Sequence, residues 1–169
     1  MTLEFGAPWS RSLKTASIFA VVVLVGVATV GVVILPARLP LARLLLAALP
    51  LIILGSAFLS SVSGYTLTAT ALEVARPFGR TAFPLADLVS VGGDAAPFSG
   101  ALRLFGNGGI FSFTGYFWSR RLGRFRALAT DPARAVILKF RRCTLVVTPD
   151  DTQRFIVRLR THLANAARP

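Results

Sequence analysis

Two stretches without a single charged residue, Ala16 to Leu35 and Leu44 to Val62, follow each other almost directly near the start of the chain. A helix of about 20 residues, rising about 1.5 Å per residue, just crosses the roughly 30 Å hydrocarbon layer of a bilayer. Each stretch is long enough to do so once. Residues 16–62 therefore read as a two-helix transmembrane hairpin, preceded by a short polar segment, 1–15, and followed by a domain of residues 65–169. Pro36 and Pro40 bound a connection too short for anything but antiparallel helices, and Pro50 suggests a kink inside the second. A secretory signal has a shorter apolar core ending at a small-residue cleavage site, whereas here one full span leads straight into another. Gly26, Gly31 and Gly55 permit close helix approach but lack the four-residue dimerisation spacing.

An even number of spans leaves both termini on one side. Arg11 and Lys14 before the first span, with Arg76 and Arg80 after the second, outnumber Arg38 and Arg43 in and after the connection, so the positive-inside rule favours cytoplasmic termini. The expected location is the bacterial inner membrane, with the soluble domain in the cytoplasm.

The net charge of +12 comes from 19 Lys and Arg against 7 Asp and Glu, and most of the cations lie at or after Arg76. Cys143 and His162 are each the only residue of their type, which leaves no intrachain disulfide and no zinc site built on Cys/His spacing. There is no Gly-x-Ser-x-Gly elbow, Glu4 and Glu73 are the only glutamates, and Asp150 and Asp151 read as helix-start chemistry. No enzyme, cofactor or metal is expected.

After Tyr65 the pattern turns to short alternating runs divided by glycine and proline. Tyr65 to Ala69, Leu72 to Arg76, Leu85 to Val91, Ile110 to Ser119, Arg124 to Thr130, Val136 to Phe140 and Cys143 to Val147 are strand candidates of a mostly antiparallel sandwich or barrel. At Thr148-Pro149-Asp150-Asp151 the period switches to that of a helix, 149–166, with Thr148 as its cap and Pro149 in its first position. Phe155, Ile156, Leu159 and Leu163 form its apolar stripe, opposite Arg154, Arg158 and Arg160.

Local sequence adds a resemblance. Phe105-Gly106-Asn107-Gly108-Gly109-Ile110-Phe111, Gly115-Tyr116-Phe117, Leu122-Gly123-Arg124-Phe125, Ala129-Thr130-Asp131 and Val146-Val147-Thr148-Pro149-Asp150 ahead of Phe155-Ile156 resemble the bacterial PH-like (pleckstrin-homology-like) domain family of small membrane proteins. The resemblance implies a PH-like β-barrel capped by the C-terminal helix, so that the whole is an α+β membrane protein. PH-like folds serve lipid headgroups, peptides and oligomer contacts, so the fold alone does not set the function. The basic arrangement of phosphoinositide-binding eukaryotic members is not evident, because Arg76 and Arg80 flank a proline-glycine turn without a lysine partner.

Two local features are candidate sites. Gly106-Asn107-Gly108-Gly109 has the glycines of an anion cradle, but aromatic strand residues follow where a nucleotide loop needs a helix, so a structural turn is the favoured reading. Arg120, Arg121, Arg124 and Arg126, beside Tyr116, Phe117 and Trp118, are the densest basic cluster. Arginines among aromatics grip anionic headgroups or nucleic acid; tethering at a bilayer favours lipid, and no nucleic-acid-binding motif is present. A solvated hairpin tip explains the cluster about equally well. Arg141-Arg142 read as a turn, His162 as a partly exposed helix residue and Cys143 as a small buried hydrophobe. Two functions follow: a non-enzymatic membrane-anchored module contacting anionic lipid or a protein partner, or an accessory subunit of a larger assembly or homo-oligomer built through the hairpin.

Overall fold

The computed structural model describes residues 2–36, 38–94 and 96–166; Met1, Ala37 in the helix connection, Ala95, and 167–169 at the expected end of the domain lie outside the described residues. The two charge-free stretches are helices α1 (Arg11–Ile34) and α2 (Pro40–Leu59), and α2 continues through Pro50. Ser10 caps α1, its Oγ accepting from the Leu13 N–H at 3.2 Å. Arg43, in the first turn of α2, donates to the Val32 carbonyl and so satisfies an acceptor that the end of α1 leaves open. A Cβ at Gly31 would stand 2.5 Å from Leu46 Cβ, so the two helices approach closely there. Gly26 and Gly55 have nothing within 4 Å of that position and take no part in the contact.

The polar N-terminal segment, to which the sequence assigned no structure, holds a strand, β1 (Leu3–Gly6). It pairs antiparallel with β2 (Gly64–Leu67), Leu3 opposite Leu67, on the far side of both helices. β3 (Ala71–Ala75) and β4 (Arg80–Pro84) complete a four-stranded sheet in the order β1-β2-β3-β4. Pro84 and a 3-10 turn over Leu85–Asp87 then lead into β5 (Leu88–Gly93). β6 (Leu102–Ile110), β7 (Ser112–Ser119), β8 (Gly123–Ala129), β9 (Val136–Phe140) and β10 (Thr144–Val147) build a second sheet in the order β5-β9-β10-β8-β7-β6. Pairing is antiparallel except between β8 and β10.

The expected barrel is therefore corrected to two open sheets. Proline cannot donate to a ladder, and the 3-10 turn carries the chain out of the first sheet before the second begins. β1, β4, β5 and β6 remain edges. Alternation puts Phe5, Tyr65, Leu72, Val74 and Phe83 of the first sheet against Leu128, Val136, Leu138, Leu145 and Val147 of the second, all buried. Helix α3 (Thr152–Ala166) lays Phe155, Ile156 and Leu159 on this core, with the Phe155 ring edge-on to Phe5 at 5.0 Å. The opposite face of the second sheet is covered by Phe98 from the β5–β6 connection, which packs on Phe117 and Phe125.

Three expectations change in detail. α3 begins at Thr152, capped by Asp151, whose Oδ1 accepts from the Arg154 N–H at 3.0 Å. Thr148 is instead fully buried and accepts the Thr130 N–H at 2.8 Å, so its hydroxyl is taken by the core. Gly106 to Gly109 lie within strand β6 rather than in a turn. Gly106 stands opposite Gly115, both at positive φ, and a Cβ on either would collide with the other strand's backbone. Asn107 accepts from the Ile110 N–H and donates to the Ile110 carbonyl, bracing Gly108 and Gly109 just before the chain reverses at Phe111. Cys143, expected to be buried, is exposed at the bend between β9 and β10, where Arg141 and Arg142 also lie exposed.

Candidate functional site

Successive residues of a strand point to opposite faces, so the every-second spacing of Tyr116 and Trp118, and of Arg124 and Arg126, places all four on one face. The register makes two cross-strand rows of three: Leu102, Trp118 and Arg124, then Phe105, Tyr116 and Arg126. Further along β8 the same face carries Leu128 and is buried in the core. Here, beyond the first sheet's cover, it lies open: Leu102 is 63% and Phe105 78% exposed, and Trp118 and Tyr116 are also exposed. β6, which brings Leu102 and Phe105, is an edge strand with Leu104 as an extra, bulged residue.

The arginines rest on aromatic rings. Arg124 Cζ lies 4.9 Å from the Tyr116 ring centre, and Arg126 Cζ lies 5.6 Å from that of Phe83 and 6.0 Å from that of Tyr116. A guanidinium stacked in this way loses little entropy when its N–H edges engage a carboxylate or phosphate.

The four arginines named in the sequence fall into two pairs. Arg121 pairs with Asp94 and donates to the Ala96 carbonyl, which ties it to the β5–β6 connection. Arg120 and Arg121 both line a groove with Ser99, Gly100, Leu102 and Trp118 at the end of β7. Only Arg124, Arg126 and Trp118 share the open face, and Gly106 to Gly109 serve strand packing.

Arg76, which the sequence places beside a proline-glycine turn without a lysine partner, has a distinct environment in the fold. Arg76 follows Leu72 and Val74 on the core side of β3, and its Nε is shielded from solvent without a hydrogen-bond partner. Burial, and then the charge of Arg126, push its pKa down. The signal was available in alternation, but its neighbour comes from the other sheet.

The two helices meet the domain at the β6–β7 turn. Phe111, at φ +64°, donates its N–H to Ser17 Oγ at 2.8 Å, and its ring sits between Trp9 and Phe58. The turn is thus wedged between the start of α1 and the end of α2.

Residues 63–163, more than half of the chain, match the family model described as bacterial PH domain. The chain belongs to the bacterial PH domain family. The matched stretch of this bacterial PH domain protein begins just before β2, so it leaves out both apolar helices and β1, although β1 completes the first sheet. No curated protein and no solved structure matches the chain. Family membership brings a domain type that generally serves lipid or protein binding, and the open arginine–aromatic face is where this chain offers chemistry for either.

Proposed function

We propose that the chain is a non-enzymatic, membrane-anchored binding module of the bacterial inner membrane. α1 and α2 cross the bilayer as a hairpin, and the PH-like domain sits on the cytoplasmic side with Arg124, Arg126 and Trp118 available to anionic headgroups. The observation that carries this reading is the uncovered apolar surface of both helices, where Ile18, Phe19, Val33, Leu41 and Ile52 are each exposed. In water such a surface is a costly, aggregation-prone patch; in lipid it is solvated. The pairing of β1 with β2 supports two crossings, since one crossing would put these strands on opposite sides. It also speaks against α1 as a cleaved signal, because cleavage would detach a strand from the sheet. The excess of Arg and Lys at the domain end of the hairpin supports the cytoplasmic side.

The test uses Cys143, the single and exposed cysteine. A membrane-impermeant maleimide labels it in lysed but not in intact spheroplasts, and alkaline carbonate leaves the protein in the membrane pellet. Labelling of intact spheroplasts refutes the side, and release by carbonate refutes the span. A second reading, a subunit assembled through the hairpin, draws on Gly26 and Gly55, which the α1–α2 contact leaves free. Loss of an oligomer in the Gly26→Leu, Gly55→Leu double variant, with labelling unchanged, favours it.

A further inference from the structure

We infer that the β6–β7 turn is itself embedded in the bilayer, where it packs between the two helices below the polar surface and meets lipid acyl chains. Its neighbours on both helices set its level. On α1, Phe111 donates its N–H to Ser17 and shares an apolar groove with Ile18, Val21 and Val22. These residues lie about one to two helical turns past Lys14, the last charge before the first apolar stretch. On α2, Ile110 and Asn107 line a second groove with Ile53, Ser56 and Ala57, and the Phe58 ring stands edge-on to Phe111 at 5.9 Å. Both sets of neighbours fall inside the charge-free stretches 16–35 and 44–62. The hairpin matches them, since no charged residue lies between Arg103 and Arg120.

Irregular backbone survives at membrane depth only where the protein itself satisfies its polar groups. The turn meets that condition. Ser17 Oγ takes the Phe111 N–H at 2.8 Å, and the Asn107 side chain takes both the Ile110 N–H, at 3.1 Å, and the Ile110 carbonyl. Ser112 and Thr114 share a buried hydrogen bond of 2.6 Å. Ser56 and Ser60 turn their hydroxyls onto carbonyls of their own helix, at Ile53 and Ser56, so neither is left facing hydrocarbon unpaired. Phe111 holds φ +64°, costly for a bulky residue, and its ring is clasped by Trp9 and Phe58. The groove between Phe111 and α1 presents apolar walls, with Trp9 at its outer end, where an amphipathic ring favours the headgroup layer. The occupant that fits is an acyl chain, and no charged group takes part. The domain is then held at three places, the two helix ends and this turn, which fixes the open face of Leu102, Trp118 and Arg124 relative to the bilayer. The inference rests on the reading of α1 and α2 as membrane-crossing helices.

The experiment puts a single tryptophan at the turn of the full-length protein, Phe111→Trp in a Trp9→Phe, Trp118→Phe background. The protein is reconstituted into vesicles of neutral phosphatidylcholine, with or without bromine in the middle of the acyl chains, because bromine quenches an indole that it touches. Phe111→Trp emits in the blue and loses most of its emission in the brominated vesicles, whereas Trp118 alone, in Trp9→Phe, keeps its emission. Phe19→Trp in the same background reports the crossing, since Phe19 stands exposed on α1. Quenching of Phe19→Trp with none of Phe111→Trp overturns the embedded turn and leaves the hairpin standing; quenching of neither refutes both. Equal quenching of Trp118 also overturns the inference, because the whole β6–β7 hairpin then lies on the lipid. Ile110→Trp, at a residue without positive φ, gives the same reading should Phe111→Trp not fold.

Discussion

Replacing Tyr65 with Phe removes one oxygen from the centre of the domain. Tyr65 is 1% exposed; its hydroxyl donates to the Leu128 carbonyl at 2.7 Å and accepts the Thr148 N–H at 3.1 Å, which joins β2 to β8 and to the end of β10. The ring still fills its place, so no cavity forms and the loss is confined to hydrogen bonds. Stranding a buried donor or acceptor costs about 1–3 kcal/mol, so two weakened partners together cost about 2–4 kcal/mol. At about 2–4 °C per kcal/mol for a chain of this size, the midpoint of the full-length protein in detergent falls by about 10 °C. Alkaline pH adds a second signature. Burial pushes the Tyr65 pKa from 10.0 up to about 12, against smaller opposing effects from its hydrogen bonds with Thr148. Because the folded value is the higher one, the unfolded chain releases its proton first. The stabilisation is complete below pH 10 and is lost as pH rises to 12, by roughly 3 kcal/mol. The gap between wild type and Tyr65→Phe is therefore widest at neutral pH and closes between pH 10 and 12. A variant as stable as the wild type at pH 7, or a gap that ignores pH, refutes the reasoning.

Gly115→Ala forces a side chain into positive φ and onto the Phe105 carbonyl, and should cost about 2–4 kcal/mol by thermal denaturation. Asp151→Ala removes the cap of α3 and should lower stability by about 1 kcal/mol, with Asp151→Ser recovering most of it. Arg121→Ala breaks a pair between an exposed arginine and a mostly shielded Asp94 carboxylate and should lower stability by about 1 kcal/mol. Gly31→Val should separate α1 from α2, read as faster cross-linking loss between engineered positions at the ends of the two helices.

The elements legible in the sequence are those whose pattern is local. Charge absence marks α1 and α2, the stripe from Phe155 to Leu163 marks α3, and alternation marks most strands. β1 escaped because its partner β2 lies beyond two helices, and Arg80–Pro84 because a strand ending in proline lacks a clean alternating run. β6 was mistaken for a turn because glycine has two uses: here it lets backbones approach at Gly106 and Gly115 rather than reverse direction. Thr148 had every sign of a helix cap, but its hydroxyl serves Thr130 and Tyr65. The candidate site was half legible for the same reason. Strand alternation unites Trp118, Arg124 and Arg126, whereas the capture of Arg121 by Asp94 depends on a contact between elements distant in sequence.

The path of the chain makes completion of the first sheet wait for both helices. A ribosome releases β1 before either helix and β2 only after both, so the sheet's first ladder cannot close until the intervening helices have been made. With a hairpin that crosses twice, β1 and β2 arrive in the same compartment and pair; with one helix left outside the bilayer, they are stranded on opposite sides. The misinserted product then shows an open β2 edge and a core missing Phe5. On the proposed two crossings, completion of the first sheet therefore depends on both helices having been threaded, and limited proteolysis of a variant with one helix disrupted should cut within the domain where the wild type resists.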